Sequence, residues 1–594
     1  MIDNKINQKK LVVNKLASAG INITPETLNI IMSLENPLEI LNLIIKETSF
    51  IPSFNSYLTL NILQKISNEE IQKTLKRFVS KEIILENLNS PSEKTEKAEW
   101  IVNVEKFSIE PDKKDMINSS NIEGIKNFKE KSNLALLGHI SASLTKPSKE
   151  KKKSKIYDSA KSTLHFKPLA KEFDYSYEIL KDPTGKLFTS GDYDDFYDLT
   201  LDKYNKLRNL MRKRPEMKAA TNISNIFRLS RNFEISTLGL VNDIYQSKNG
   251  NYIITLEDIT GTINVLMRNV SENVDYIKTI ERTVKDQLLY VDGVYNPGEQ
   301  GKTGIIFANT ISKIDIPTDY KPNISEEPVS AALISDLHIG SKEFEEKLFT
   351  KFLNFINGKI NKKNYREIAS KVKYIIINGD LVDGIGVYPN QQEDLTISDI
   401  FKQYNFAAEL LSNIPEYIKI FYVAGNHEPV RNAIPRPAVP KKYSQELLNL
   451  GVKCLGNPSL IRTHNVNTLI YHGESMHDMN MIIHGLDNNN PVETMKELLI
   501  CRHLAPVYGE KTQIAPVDND WLVIDKIPDI FHTGHIHING IGRYRNVSLI
   551  NSGCFQAQTD FMRSFGISPT PGITPIIELD TLNVLPLDFK KINS

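Results

Sequence analysis

The sequence reads as a multidomain protein that joins an N-terminal helical region, a small β barrel and a layered α/β domain. Three observations carry this reading. The chain has 594 residues, several times the ~100–200 residues of one domain. Near its middle, three short strands, a helix and two more strands follow one another, the order of a five-stranded OB barrel. Beyond residue 328, apolar runs alternate with helical stretches, and each run ends in a polar cluster.

Composition narrows the class. Lys and Arg number 72 and so do Asp and Glu, giving zero formal net charge. That excludes a uniformly basic nucleic-acid coat and a strongly acidic solvating chain, while a local basic patch stays compatible. The three cysteines (Cys454, Cys501, Cys554) make no CxxC pair, so neither a disulfide framework nor a zinc ribbon is expected. The N-terminal residues lack the apolar core of a signal peptide, and no run approaches the ~20 apolar residues that span a bilayer. A soluble cytoplasmic protein without membrane contact is expected.

Residues 1–90 are expected to form a helical domain. Thr24-Pro25-Glu26 reads as a helix start, with Thr as cap, Pro at the first helical position and Glu facing the dipole. Leu28, Ile31, Met32 and Leu34, then Leu38, Ile40, Leu41, Ile44 and Ile45, supply apolar faces. Residues 91–172 are expected to be a flexible basic linker. From Lys146 to Lys171 there are nine lysines against Glu150 and Asp158, a composition that suits either a solvated tether or a phosphate-backbone contact.

Residues 173–232 are expected to be a helical connector, with the Asp182-Pro183-Thr184-Gly185 turn before a helix ending at Arg212-Lys213-Arg214-Pro215. Residues 233–320 are the expected OB-fold. Lys248-Asn249-Gly250-Asn251 is a hairpin turn, and a helix around 275–286 separates the third strand from Leu288–Val291 and Gly304–Phe307. Such a barrel can bind single strands or serve structure alone; its exposed-face aromatics are few.

Residues 328–594 carry the chemistry. The runs Ala331–Ile334, Tyr374–Ile377, Ile418–Val423 and Thr468–Tyr471 are expected strands. The polar clusters are Asp336-Leu337-His338, Gly379-Asp380-Leu381-Val382-Asp383, Gly425-Asn426-His427-Glu428, His472-Gly473 and Gly534-His535-Ile536-His537. Singly each is weak, since a lone His or a Gly-Asp pair is common. Together they gather carboxylate, imidazole and amide oxygen, suitable ligands for divalent metals. The i, i+2 spacing of Asp336/His338 and of His535/His537 predicts side chains projecting the same way from extended chain. Glycines at 379, 425, 473 and 534 allow tight turns beside them.

These motifs, DxH, GDxxD, GNH[DE], H and GHxH, resemble those of the calcineurin-like metallophosphoesterases, whose fold is a layered αββα sandwich. The resemblance implies that Asp336, His338, Asp380 and His537 hold one metal. Asp380 would bridge to a second, held also by Asn426, His472 and His535. It gives His427 the place of the catalytic acid. Asp383 is read as a supporting residue, with a ligand role as the alternative. His472 is the expected fourth-motif ligand; His503, His477 and His484 compete with it. Two divalent ions are implied, manganese first, with magnesium, iron or zinc as alternatives.

An OB barrel directly before such a domain resembles the B-subunits of replicative DNA polymerases. Within that group, residues 173–594 are most similar to the small subunit of archaeal family-D DNA polymerase. The stretches that carry this are Asp336–Ser341, Asn378–Gln391, Arg502–Pro506, Phe531–His537, Asn551–Gly553 and Gln556–Phe561. The resemblance implies a 3′→5′ proofreading exonuclease in the archaeal cytoplasm, associated with the nucleoid. Its partners would be a separate large catalytic subunit, DNA with 3′ ends and, as a further candidate, the sliding clamp, although no convincing clamp-binding peptide stands out. No polymerase motif occurs in this chain, which fits a nuclease subunit. Glu428 stands where the family more often has Asp. A non-catalytic scaffold and a free-standing phosphodiesterase or phosphatase acting on small esters are the competing readings.

Overall fold

The computed structural model describes most of residues 11–75 and residues 166–592 apart from 269–273, 299–302 and 565. The chain divides into two compact units, residues 1–163 and 164–594. In the first, helices Pro25–Met32, Pro37–Thr48 and Leu60–Leu63 accompany a two-residue parallel pair, β1 (Asn22–Ile23) and β2 (Tyr57–Leu58). Val12, Leu16, Ile31, Leu41, Ile44, Leu63 and Ile71 share one buried cluster, so the apolar spacing read from the sequence does define a core face. The Thr24 cap and residues 91–165 of the expected linker, with its lysines up to Lys161, lie outside the described residues; its last residues are described, and Leu169–Glu172 form a 3-10 turn with Ala170 buried, not a flexible tether.

In the second unit the middle strands are β4 (Phe233–Gln246), β5 (Tyr252–Asp258), β6 (Gly261–Met267), β7 (Leu288–Asn296) and β8 (Ile305–Lys313). They close into a barrel in the order β4-β5-β6-β8-β7, with β6 and β8 parallel. Alternating Ile254, Leu256, Ile263, Val265, Leu289, Val291 and Ile306 fill it. Helix Val274–Glu281 lies between β6 and β7 in sequence, as expected of an OB barrel.

The remaining strands form two six-stranded sheets. One contains β9 (Ser330–Ile334), β10 (Val372–Asn378), β11 (Lys419–Val423), β12 (Lys453–Leu455), β18 (Ile573–Glu578) and β19 (Val584–Asp588), ordered β12-β11-β10-β9-β18-β19. The other contains β3 (Tyr177–Lys181), β13 (Ser459–Thr463), β14 (Val466–Ile470), β15 (Ile530–Thr533), β16 (Asn539–Tyr544) and β17 (Val547–Ser552), ordered β16-β17-β15-β14-β13-β3. Leu333, Ile376 and Phe421 of the first sheet share a buried cluster with Ile461, Ile470, Ile530 and Ile550 of the second, so the sheets pack face to face. The first sheet's other face (Ile334, Ile375, Ile377) packs on Phe349, Phe352 and Leu411 of helices, and the second's (Leu469, Phe531, Leu549) on Met479, Met495 and Leu498. The expected α-β-β-α layering is therefore present.

Strand β3 is a departure. It lies within residues 173–232, expected as a helical connector, which also carry the anticipated helix Tyr193–Met211. It pairs antiparallel with β13 at the sheet edge. Its residues are exposed or half-buried, so no buried alternating pattern marks it; Tyr177 and Ile179 are its β-forming signal. Among the described residues no helix is long and apolar enough to cross a membrane.

Candidate metal centre

Strands β9, β10 and β11 run parallel in one sheet, as do β14 and β15 in the other. Parallel strands deliver their following loops to one end, where layered α/β folds place ligands. All five polar clusters follow these strands. Asp336 and His338 come after β9, Asp380 after β10, Asn426 and His427 after β11, His472 after β14, and His535 and His537 after β15.

The donor atoms converge. His338 Nε2 lies 3.2 Å from His537 Nε2, and His537 Nε2 lies 3.4 Å from Asp336 Oδ1. His472 Nε2 lies 3.2 Å from Asp380 Oδ2 and 3.1 Å from Asn426 Oδ1. Asp336, His338 and His537 form one group able to hold a metal ion, and Asp380, His472 and His535 another. Two imidazole nitrogens facing each other between buried carboxylates are a donor set suited to divalent cations. The pair Asp336/His338 does not project from extended chain, nor does His535/His537. Asp336, His338, Asp380, His535 and His537 all have φ between 50° and 65°, a left-handed conformation costing ~1–3 kcal/mol each for such residues. The strands end before these residues, and the left-handed turns, not period-2 alternation, bring the donors together. Gly425 answers a close approach: a Cβ there would strike the Asp380 carboxylate and the His472 ring.

Supporting contacts fix the donors. Asp383 Oδ1 lies 3.0 Å from His338 Nδ1, while Gln391 Nε2 donates to Asp383 Oδ2 at 2.8 Å and Gln556 Nε2 to Oδ1 at 3.4 Å. The Asn378 carbonyl, 2.8 Å away, accepts from His472 Nδ1 and leaves Nε2 for the cluster. Glu428 is buried and accepts from the backbone N–H groups of Asp380 (3.0 Å), Leu381 (2.8 Å) and Gly425 (2.6 Å) and from Tyr422 Oη (2.7 Å). Burial, then the Asp380 charge, pushes its pKa up to about 7.

Electrostatics divide the imidazoles. Burial opposes charge on His472, but Asp380 and Asp336 outweigh it and raise its pKa to about 9. Burial likewise opposes charge on His537, and Asp336 raises it well above the ordinary value. His535 and His338 shift down, through burial and then through the charge of His472 and of His427 respectively. A cluster that retains protons between carboxylates holds them where metal ions would displace them.

Two cavities open on the cluster. One, of about 450 Å³, is lined by His338, Asp380, Asp383 and His537; the other, of about 950 Å³, lies beyond Asn426, His427 and His535.

Residues 330–539 match the calcineurin-like phosphoesterase family. The DNA polymerase II small subunit of Methanothermobacter thermautotrophicus is 40% identical over 417 residues, covering 70% of this chain and 83% of that protein. This chain belongs to the DNA polymerase II small-subunit family. The small subunit of Pyrococcus furiosus is 41% identical over 388 residues, 65% of this chain and 62% of that protein. That of Methanocaldococcus jannaschii is 38% identical over 429 residues, 72% of this chain and 70% of that protein.

Within this family-D small subunit, the structure brings all seven predicted donors and His427 to one place. It puts His503 elsewhere, with Nε2 2.9 Å from Asp520 Oδ2 and Nδ1 accepting from Ala505 N at 3.1 Å. His477 borders the cluster, its ring centroid 5.2 Å from that of His535. His484 lines neither of the two cavities. The sequence reading missed the work of Gln391, Gln556 and Glu428. The two glutamines lay in motif-like stretches, but nothing local reveals that both reach Asp383.

Proposed function

We propose that this small subunit is the 3′→5′ exonuclease of a two-subunit DNA polymerase and the structural partner of its large catalytic subunit. The observation that carries the reading is the complete, convergent donor set at five strand ends. Asp336, His338, Asp380 and His537 would hold one divalent ion, and Asp380, Asn426, His472 and His535 a second. Manganese is the proposed metal, and metal analysis of protein isolated without chelators tests it against magnesium, iron and zinc. Bound there, two such ions neutralise phosphoryl charge and acidify a water enough to attack phosphorus near neutral pH.

The chain's own residues supply orientation and a proton. His427 Nδ1 lies 2.7 Å from the Asp383 carbonyl, which can only accept, so Nδ1 donates. That leaves Nε2, 4.0 Å from Asp380 Oδ2, as the atom that exchanges a proton. In the protonated state it would deliver that proton to the departing 3′ oxygen of the shortened strand, a contribution of ~10²–10⁴-fold.

The test is degradation of a 5′-labelled primer with a 3′ mismatch, in Mn²⁺, by the wild type and by His427→Ala. A ladder shortening from the 3′ end and slowed ~10²–10⁴-fold in the variant is expected. No ladder from the wild type, even with the large subunit added, would make this subunit a non-catalytic scaffold. A ladder undiminished in the variant would remove His427 from the chemistry.

A further inference from the structure

The larger cavity extends well past the donor set, to residues that the proposed hydrolysis does not use. At about 950 Å³ it reaches the upper end of the ~300–1,000 Å³ typical of small-ligand sites. It is continuous with the metal cluster, since Asn426, His427 and His535 line both it and its 450 Å³ neighbour. Val387 and Phe561 also line both, and so stand at the boundary. Phe561 is 66% exposed, Val387 37% and Ile385 40%. Single exposed apolar residues are ordinary on a protein surface. Here Ile385, Val387 and Phe561, from two separate segments, border one polar candidate site, together with exposed Tyr388 and Met481.

Both segments contain a glutamine that donates to Asp383. Val387 N donates to Gln391 Oε1 at 2.9 Å, and Gln391 in turn donates to Asp383. Gln556, five residues before Phe561, also donates to Asp383. The Val387 wall is thus tied to the carboxylate that orients His338, and the segment leading to Phe561 starts from a contact to that same carboxylate. An exposed aromatic at the mouth of a candidate phosphodiester site suits a nucleobase, because every base offers a π face.

We infer that Phe561, which lines the larger cavity together with Ile385 and Val387, is a stacking gate for an unpaired 3′-terminal nucleobase, with that cavity as its seat. The inference rests on the exonuclease reading and names its substrate: a terminus already out of the duplex. A paired terminal base must leave its stack to enter, and that cost is least for a mismatched or single-stranded end. The gate therefore selects frayed ends without reading sequence.

The test uses the full chain in Mn²⁺ and two 5′-labelled single strands, one ending in thymidine and one in an abasic residue. Phe561→Ala is expected to lower kcat/KM on the thymidine end about 5- to 150-fold, to leave the abasic end within about twofold, and Phe561→Trp to restore the difference. The side chain is exposed, so these variants keep the fold. A second readout needs no catalysis. With chelator present, a strand carrying 3′-terminal 2-aminopurine should lose fluorescence on binding wild type and keep it with Phe561→Ala. If the thymidine-to-abasic ratio is the same in wild type and Phe561→Ala, the gate is overturned. If wild type degrades no DNA yet quenches the probe through Phe561, the exonuclease reading fails and the base site stands. Absence of both activity and quenching sinks both.

Discussion

The Glu428 carboxylate takes hydrogen bonds from three backbone N–H groups on two different loops and from Tyr422. The loops are those that present Asp380 and Asn426, so one side chain outside the donor set fixes the separation of two donors. Glu428→Gln replaces an acceptor by an NH₂ group and sets it against at least one of those donors. Leaving a buried donor unsatisfied costs ~1–3 kcal/mol, so the urea midpoint should fall accordingly. Metal bound per folded chain should fall with it. Glu428→Asp keeps an acceptor-only carboxylate and should recover most of both. Unchanged metal stoichiometry in the Gln variant would show that the loops hold their spacing without this anchor.

At the scale of the element, the sequence made the strand ends legible and hid the turns after them. Each buried run stops at a polar cluster, and that punctuation located Asp336, Asp380, Asn426, His472 and His535. The left-handed backbone at five of the donors is set by packing between loops, which spacing cannot express. Edge strand β3 was hidden for a related reason: one partner and half-exposed faces leave no periodic signature. His532 lies on strand β15. It is fully buried; its Nε2 lies 3.0 Å from Ser552 Oγ, and its Nδ1 has no hydrogen-bond partner among the described residues. Burial depresses its pKa to about 3. Above the unfolded value of ~6.5, both states hold the ring neutral and its contribution is fully present. Below that, the unfolded chain takes up a proton that the fold refuses, so stability falls with pH until about 3. Between pH 6.5 and 5.0 this one group should remove about 1.6 kcal/mol, the slope rising toward ~1.36 kcal/mol per pH unit as the unfolded ring becomes fully protonated. Urea unfolding in chelator, compared with His532→Gln, should show a correspondingly flatter pH slope in the variant. Parallel slopes would assign the acid sensitivity to other groups.

For the unit of residues 164–594 as a whole, helix Tyr193–Met211 joins what the sequence presented as separate parts. Tyr204, Leu207 and Met211 share a buried cluster with Leu238, Leu240, Leu288 and Tyr290 of the barrel and with Val523 of the phosphoesterase part. Buried Lys203 adds a polar tie, donating from Nζ to the Pro506 carbonyl at 2.7 Å. The helix therefore couples the stability of the barrel to that of the sandwich, whereas the metal donors depend on loops after β9, β10, β11, β14 and β15. Leu207 is 1% exposed, and Leu207→Ala should cost ~2–5 kcal/mol through lost burial and a residual cavity. The expected result is a lower unfolding midpoint with unchanged metal affinity in the protein that remains folded. Metal titration at 15–20 °C below the transition, alongside the melt, separates the two quantities. If metal affinity falls in step with stability, the position of the barrel feeds into the donor loops, and the OB part has a share in shaping the candidate metal centre.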